Sequence, residues 1–197
     1  MCNVYPLVLL ALVQAAGPDS VVYDLSTTSH LEVRTGKAGL LGFAGHEHLI
    51  RASGFSGLIV LYPDQPAASH VTVSVATDRL EVLTPPDTAE IRKVTAAMRE
   101  EVLDVPHYPD ITLTARAMER AGDTLRLQGA LTIRGQTREV PLVVQVLIGP
   151  DTLRANTTFT VKQTDFGIRP YRGGPGGTVR VADQVTFVIE AVAIRRL

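Results

Sequence analysis

The chain has 197 residues, with 19 basic against 20 acidic side chains and a formal charge of -1, so no single-sign field points at a phosphate backbone and no nucleic-acid partner is expected. Aromatic residues make up 5% and tryptophan is absent, which argues against base-stacking platforms and aromatic sugar clefts. The length suits one domain with a real core, and the apolar residues are chiefly Val, Leu, Ile and Ala.

The first element is an apolar run, Val4 to Ala16, followed by the breaker Gly17-Pro18-Asp19-Ser20. It falls short of the ~20 residues that a membrane helix needs and ends in small residues. Residues 1–16 therefore read as a cleaved signal peptide, though without the usual basic residue before the apolar run, and 20–197 as the mature domain, periplasmic or secreted with no stable membrane span. The single cysteine, Cys2, would leave with that peptide, and with it any disulfide, thiol nucleophile or Cys-ligated metal site.

From Val21 onward, short alternations recur between turn residues. His30 to Arg34, His70 to Val75, Thr124 to Gln128, Ala130 to Arg134 and Thr178 to Val181 each alternate apolar and polar, the period of a strand with one buried face. The longer apolar runs Val140 to Ile148 and Val185 to Ile194 predict strands covered on both faces or lying at a barrel's seam. Turn signals stand between them at Gly122-Asp123, Arg134-Gly135-Gln136-Thr137 and Gly149-Pro150-Asp151.

One segment follows a different period. After Asp87 or Thr88 as a cap, Ile91, Val94, Met98 and Val102 recur at spacings of three and four. They predict one amphipathic helix, with room for a break in its middle, ending before Pro106. About ten strands and one helix, without repeats or linkers, describe a single antiparallel barrel or sandwich.

Gly45-His46-Glu47-His48 is the strongest chemical lure. On a strand, His46 and His48 would point to one side, the arrangement of two ligands on one metal ion; a third ligand would have to come from His30, His107 or Asp165. No spacing demands that, so the metal assignment of His46 and His48 ranks below a polar patch at a strand end. There is no nucleophile elbow, phosphate loop or helical His-Glu-x-x-His, and nothing arranges Glu47 and Asp165 with the histidines for acid/base work, so no catalysis is expected. Tyr171 to Gly177 is glycine-rich, but no helix follows to make it a phosphate cradle. It reads as a loop at one end of the barrel.

Five strings, in order, resemble one known family. They are Ser29-His30-Leu31-Glu32-Val33; Phe55-Ser56-Gly57 with Tyr62-Pro63-Asp64; Leu103 to Leu113; Gly129-Ala130-Leu131-Thr132-Ile133-Arg134-Gly135-Gln136-Thr137-Arg138; and Asp165-Phe166-Gly167-Ile168 with Val181-Ala182-Asp183-Gln184-Val185. Together they are similar to the YceI family of exported, lipocalin-like proteins that bind polyisoprenoid lipids, here in a variant with a Gly-His-x-His element. The resemblance implies an all-β fold, an antiparallel up-and-down barrel of about eight strands with one helical insertion, and an isoprenoid-type lipid or quinone as ligand rather than a cofactor.

A lipid chain offers no hydrogen bonds, so its site must be aliphatic. The candidates are Val71, Val73, Val75, Leu131, Ile133, Leu142, Val144, Phe187 and Ile189 on strands, with Ile91, Val94 and Met98 of the helix over the mouth. His46, His48, Arg169 and Arg172 are the candidates for a head group at the rim. A solid barrel with a metal-binding or structural and stress-response role is the alternative, and a homodimer is compatible with either.

Overall fold

The alternating segments become strands in the computed structural model, which describes residues 20–38, 47–84, 88–173 and 179–196. Twelve strand segments are formed: β1 (Val21–Leu25), β2 (His30–Ala38), β3 (Leu49–Ala52), β4 (Phe55–Leu61), β5 (His70–Ala76), β6 (Leu80–Val82), β7 (Asp110–Ala121), β8 (Thr124–Ile133), β9 (Gln136–Ile148), β10 (Thr152–Lys162), β11 (Arg172–Gly173) and β12 (Val179–Arg195). A helix, α1 (Thr88–Ala97), lies between β6 and β7.

The pairings reduce these segments to eight staves. β1 and β4 pair, as do β2 and β3, so β1–β2 and β3–β4 are two long strands, each broken once. β5 pairs with β4 and β6 with β3, which makes β5–β6 a third broken stave. β7, β8, β9, β10 and β12 follow in chain order, and β12 returns to β1 and β2, closing an up-and-down barrel. Closure leaves no free sheet edge at this seam.

Each break has a local cause. At the first, the buried Ser29 hydroxyl donates to the Val192 carbonyl at 3.1 Å and accepts the Val192 N–H at 3.0 Å, standing in for the ladder. At the second, Ser53 N–H donates to the Arg79 carbonyl at 2.9 Å, and a Cβ on Gly54 would come within 2.6 Å of the Arg79 side chain. At the third, buried Thr77 donates its N–H to Pro109 and its hydroxyl to Tyr108, at 2.8 and 2.9 Å. The three breaks lie level with one another on three adjacent staves.

The barrel ends differ. Gly122-Asp123, Gly149–Asp151 and residues 62–69 connect strands at the lower end, whereas the end of β2, the start of β3, the helical segment, Arg134-Gly135 and the turn Gln163–Phe166 lie at the upper end. The upper end is splayed in two places. β9 and β10 pair only from Gln145–Ile148 to Leu153–Asn156; Pro141, which has no N–H to donate, sits in the part of β9 that pairs with β8 alone. β6 pairs with β3 and β7 with β5, so above Ala76 these two neighbours part. A short turn, Gln163–Phe166, packs against β9 at the first gap, and α1 packs against β6 at the second.

Two expectations are refined. Val185 to Ile194 does run along the seam, with β10 on one edge and β1 and β2 on the other. Val140 to Ile148 is neither covered twice nor at the seam: Val140, Leu142, Val144 and Val146 face inward, while Val143 and Leu147 are 53% and 65% exposed. Single apolar residues on an outer wall cost little, so the run hid an ordinary alternation.

Candidate ligand chamber

The interior holds two cavities, one above the other. The upper, of ≈ 280 Å³, lies under the helix and is lined by Val33, Ile50, Ile133, Val161 and Phe187 of the wall, by Phe166 and Ile168, and by Val94 and Met98 above. The lower, of ≈ 120 Å³, is bounded by Val71, Val73, Leu142, Val144 and Ile189 and presents no polar surface. Between them lies a waist, where Phe159 and Phe187 stack in parallel with centroids 4.9 Å apart and Leu131 is buried. An engineered cavity of about 150 Å³ takes up benzene, so the upper chamber has room for roughly a dozen carbon atoms.

The helix covers the upper chamber through its sequence pattern. Val94 and Met98 face down, Ile91 packs on the core beside them, and the charged residues Arg92 and Lys93 are exposed. Beyond Ala97 the coil widens: Leu103 N–H donates to the Met98 carbonyl at 2.8 Å, a five-residue span, which turns Met98 into the core. The end of this segment is tied to the β8–β9 hairpin. Arg134 and Gly135 both have positive φ, 49° and 69°, as a two-residue hairpin turn of matching twist requires. The Arg134 guanidinium lies 5.7 Å from the Tyr108 ring centroid and donates to the Val102 carbonyl at 3.3 Å.

Polar groups reach only the upper chamber. His48, Thr35 and Gln163 line it from the wall, and Glu90, Lys93, Tyr171 and Arg180 stand nearer the mouth. His48 Nδ1 lies 2.9 Å from the Thr84 carbonyl oxygen, and His48 N–H donates to Thr35 Oγ1 at 3.0 Å. Gln163 Nε2 donates to the Ala182 carbonyl at 2.8 Å. The turn that carries Gln163 is anchored by Asp183, whose carboxylate accepts the Thr164 N–H at 2.9 Å and the Thr164 hydroxyl at 2.8 Å. These bonds, the backbone one foremost, hold the Asp183 carboxyl below its ordinary range.

The sequence-derived candidates divide among these places. Val94, Met98, Ile133 and Phe187 line the upper chamber, and Val71, Val73, Leu142, Val144 and Ile189 the lower. Leu131, Val75 and Ile91 belong to the packed core instead. His46 lies outside the described residues, as do 1–16, so the histidine pair cannot be assembled here. Of the third ligands, His30 is on the outer wall beside Glu32 and Arg51, while exposed His107 bonds to Asp104 at 2.7 Å. Among the described residues no cluster of three or more His, Cys, Asp or Glu could hold a metal ion. Arg169 and Arg172 are exposed and do not line the chamber; the cation that does on that side is Arg180, which pairs with Arg172 across β11 and β12. Sequence reasoning missed Gln163 and Phe166, although Phe166 lies in one of the quoted strings.

The sequence pattern of the YceI-like domain matches residues 26–193, most of the chain. The chain belongs to the YceI-like family. Its fold is shared by solved YceI-like structures: BcnA of Burkholderia cenocepacia superposes with a TM-score of 0.67 at 16% identity, over 85% of this chain and 98% of that one. The Campylobacter jejuni YCEI protein, whose crystals have large solvent channels for nanotechnology applications, superposes with a TM-score of 0.58 at 16% identity, over 75% and 85%. No curated protein matches the sequence. Among the described residues of this YceI-like chain, no helix is long and apolar enough to cross a membrane.

Proposed function

We propose that this chain is an exported binding protein that holds an apolar, isoprenoid-type lipid inside its barrel without chemical turnover, in the periplasm or outside the cell. The observation that carries the reading is the stacked pair of cavities, lined chiefly by apolar side chains in both halves, the upper covered by the apolar side of α1. An alkyl chain gains about 25 cal/mol for each Å² removed from water, so burying ~300 Å² contributes roughly 7 kcal/mol before the cost of association. Family membership supports the ligand class, and α1 serves as the cover through which the chain enters. The waist limits how far it reaches, and a longer chain must displace the Phe159–Phe187 stack.

Native mass spectrometry of protein purified from its own host, with organic extraction of the same sample, tests this. A reproducible apolar adduct that extraction releases is the expected result. Ligand-free protein from every preparation would refute the reading.

A further inference from the structure

Two buried polar residues of the upper chamber, His48 and Gln163, each carry a hydrogen-bond acceptor that no donor among the described residues engages. His48 is 9% exposed, and its Nδ1 faces a carbonyl oxygen, which can only accept. Nδ1 therefore carries the proton, and in the neutral ring Nε2 is a lone-pair acceptor. Gln163, 8% exposed, gives one amide N–H to the Ala182 carbonyl and keeps its second N–H as a donor and Oε1 as an acceptor. No hydrogen bond among the described residues reaches His48 Nε2. A ligand that fills this chamber without bringing a donor leaves Nε2 facing hydrocarbon, so a ligand that brings one is favoured.

We propose that the chamber selects a neutral apolar chain ending in a hydroxyl, an alcohol or a phenol, which donates to His48 Nε2. This rests on the reading of the interior as a lipid site and names the head group it takes. At His48 Nε2 a carbonyl head group, as on an oxidised quinone, would set acceptor against acceptor. A phosphate would have to lose water to enter the chamber, because the cations Lys93 and Arg180 are exposed to solvent and do not follow it inside.

The test uses delipidated protein and three probes with one chain: farnesol, farnesyl methyl ether and farnesyl monophosphate, each competing with a fluorescent apolar probe. The variant is His48→Asn, whose amide N–H keeps the bond to Thr84 while the Nε2 acceptor is lost. Wild type binds the alcohol roughly threefold to tenfold more tightly than the ether, the range of one net hydrogen bond, and more tightly than the phosphate. In the variant the alcohol-to-ether ratio falls toward one. Because both ligands are compared on the same protein, a change in folded fraction cancels from the ratio. As a second readout, the ¹⁵N resonance of His48 Nε2 in wild type moves with farnesol and not with the ether. An unchanged ratio in the variant, a phosphate that binds tightest, or an Nε2 resonance indifferent to farnesol overturns the hydroxyl assignment alone. If no probe binds to wild type, the lipid reading itself fails.

Discussion

The lower half of the barrel is closed by short turns and presents no polar surface to its cavity, whereas the upper half is splayed at two gaps and carries His48, Thr35 and Gln163 on its inner wall. The same eight staves build both halves. The difference comes from what fills the gaps: continuous ladders below, and above them a helix and a short turn whose side chains must complete the wall. Continuous strand pairing is thus concentrated in the lower half, and polar inner-wall groups in the upper.

The heaviest blow to the upper half is Phe166→Ala. Phe166 is 1% exposed and sits in the turn that packs beside the β9–β10 gap, so its loss costs about 4 kcal/mol, read as a lower urea midpoint. The contrast between halves is tested by one change made twice. Val144→Asn strands an amide in the apolar lower cavity and costs about 3 kcal/mol, while Val94→Asn, half-buried at the wetter mouth, costs about 1 kcal/mol or less. Equal losses at the two sites would show that the halves do not differ as described. Phe187→Ala, at the waist, costs about 2 kcal/mol but joins the chambers, so isoprenoid alcohols longer than farnesol gain affinity relative to farnesol.

The smallest effect concerns acid. Because the Asp183 carboxyl is held low by Thr164, its contribution is fully present above the unfolded pKa near 4 and is lost as pH falls through its lower folded value. Asp183→Asn therefore lowers stability by about 1 kcal/mol at neutral pH. It also flattens the acid limb of the stability curve below about pH 4. A variant whose acid limb matches wild type would remove Asp183 as the anchor of that turn.

Much of the barrel was legible because period and turn chemistry are local. Thr124 to Gln128 and Ala130 to Arg134 alternate over what proves to be a single strand, and Arg134-Gly135 announced the hairpin that the positive φ values realise. The broken staves were not legible, since Ser29, Ser53 and Thr77 acquire their roles from Val192, Arg79, Tyr108 and Pro109, distant partners that no pattern names. Nor could the sequence separate core from cavity. Leu131 and Ile133 lie two residues apart on one face of one strand, yet the first packs at the waist and the second lines a chamber. Nor does composition distinguish Arg169, Arg172 and Arg180; of the three, Arg180 lines the chamber, from its place on β12 opposite Arg172.

Direct titration of delipidated protein with farnesol, followed by calorimetry, bears most immediately on whether the interior is a binding site. Saturable binding of one ligand per chain, abolished by Ile133→Trp, which fills the upper chamber from its wall, is the expected result. Binding that does not saturate, or that survives Ile133→Trp unchanged, would place the lipid outside the barrel and contradict it.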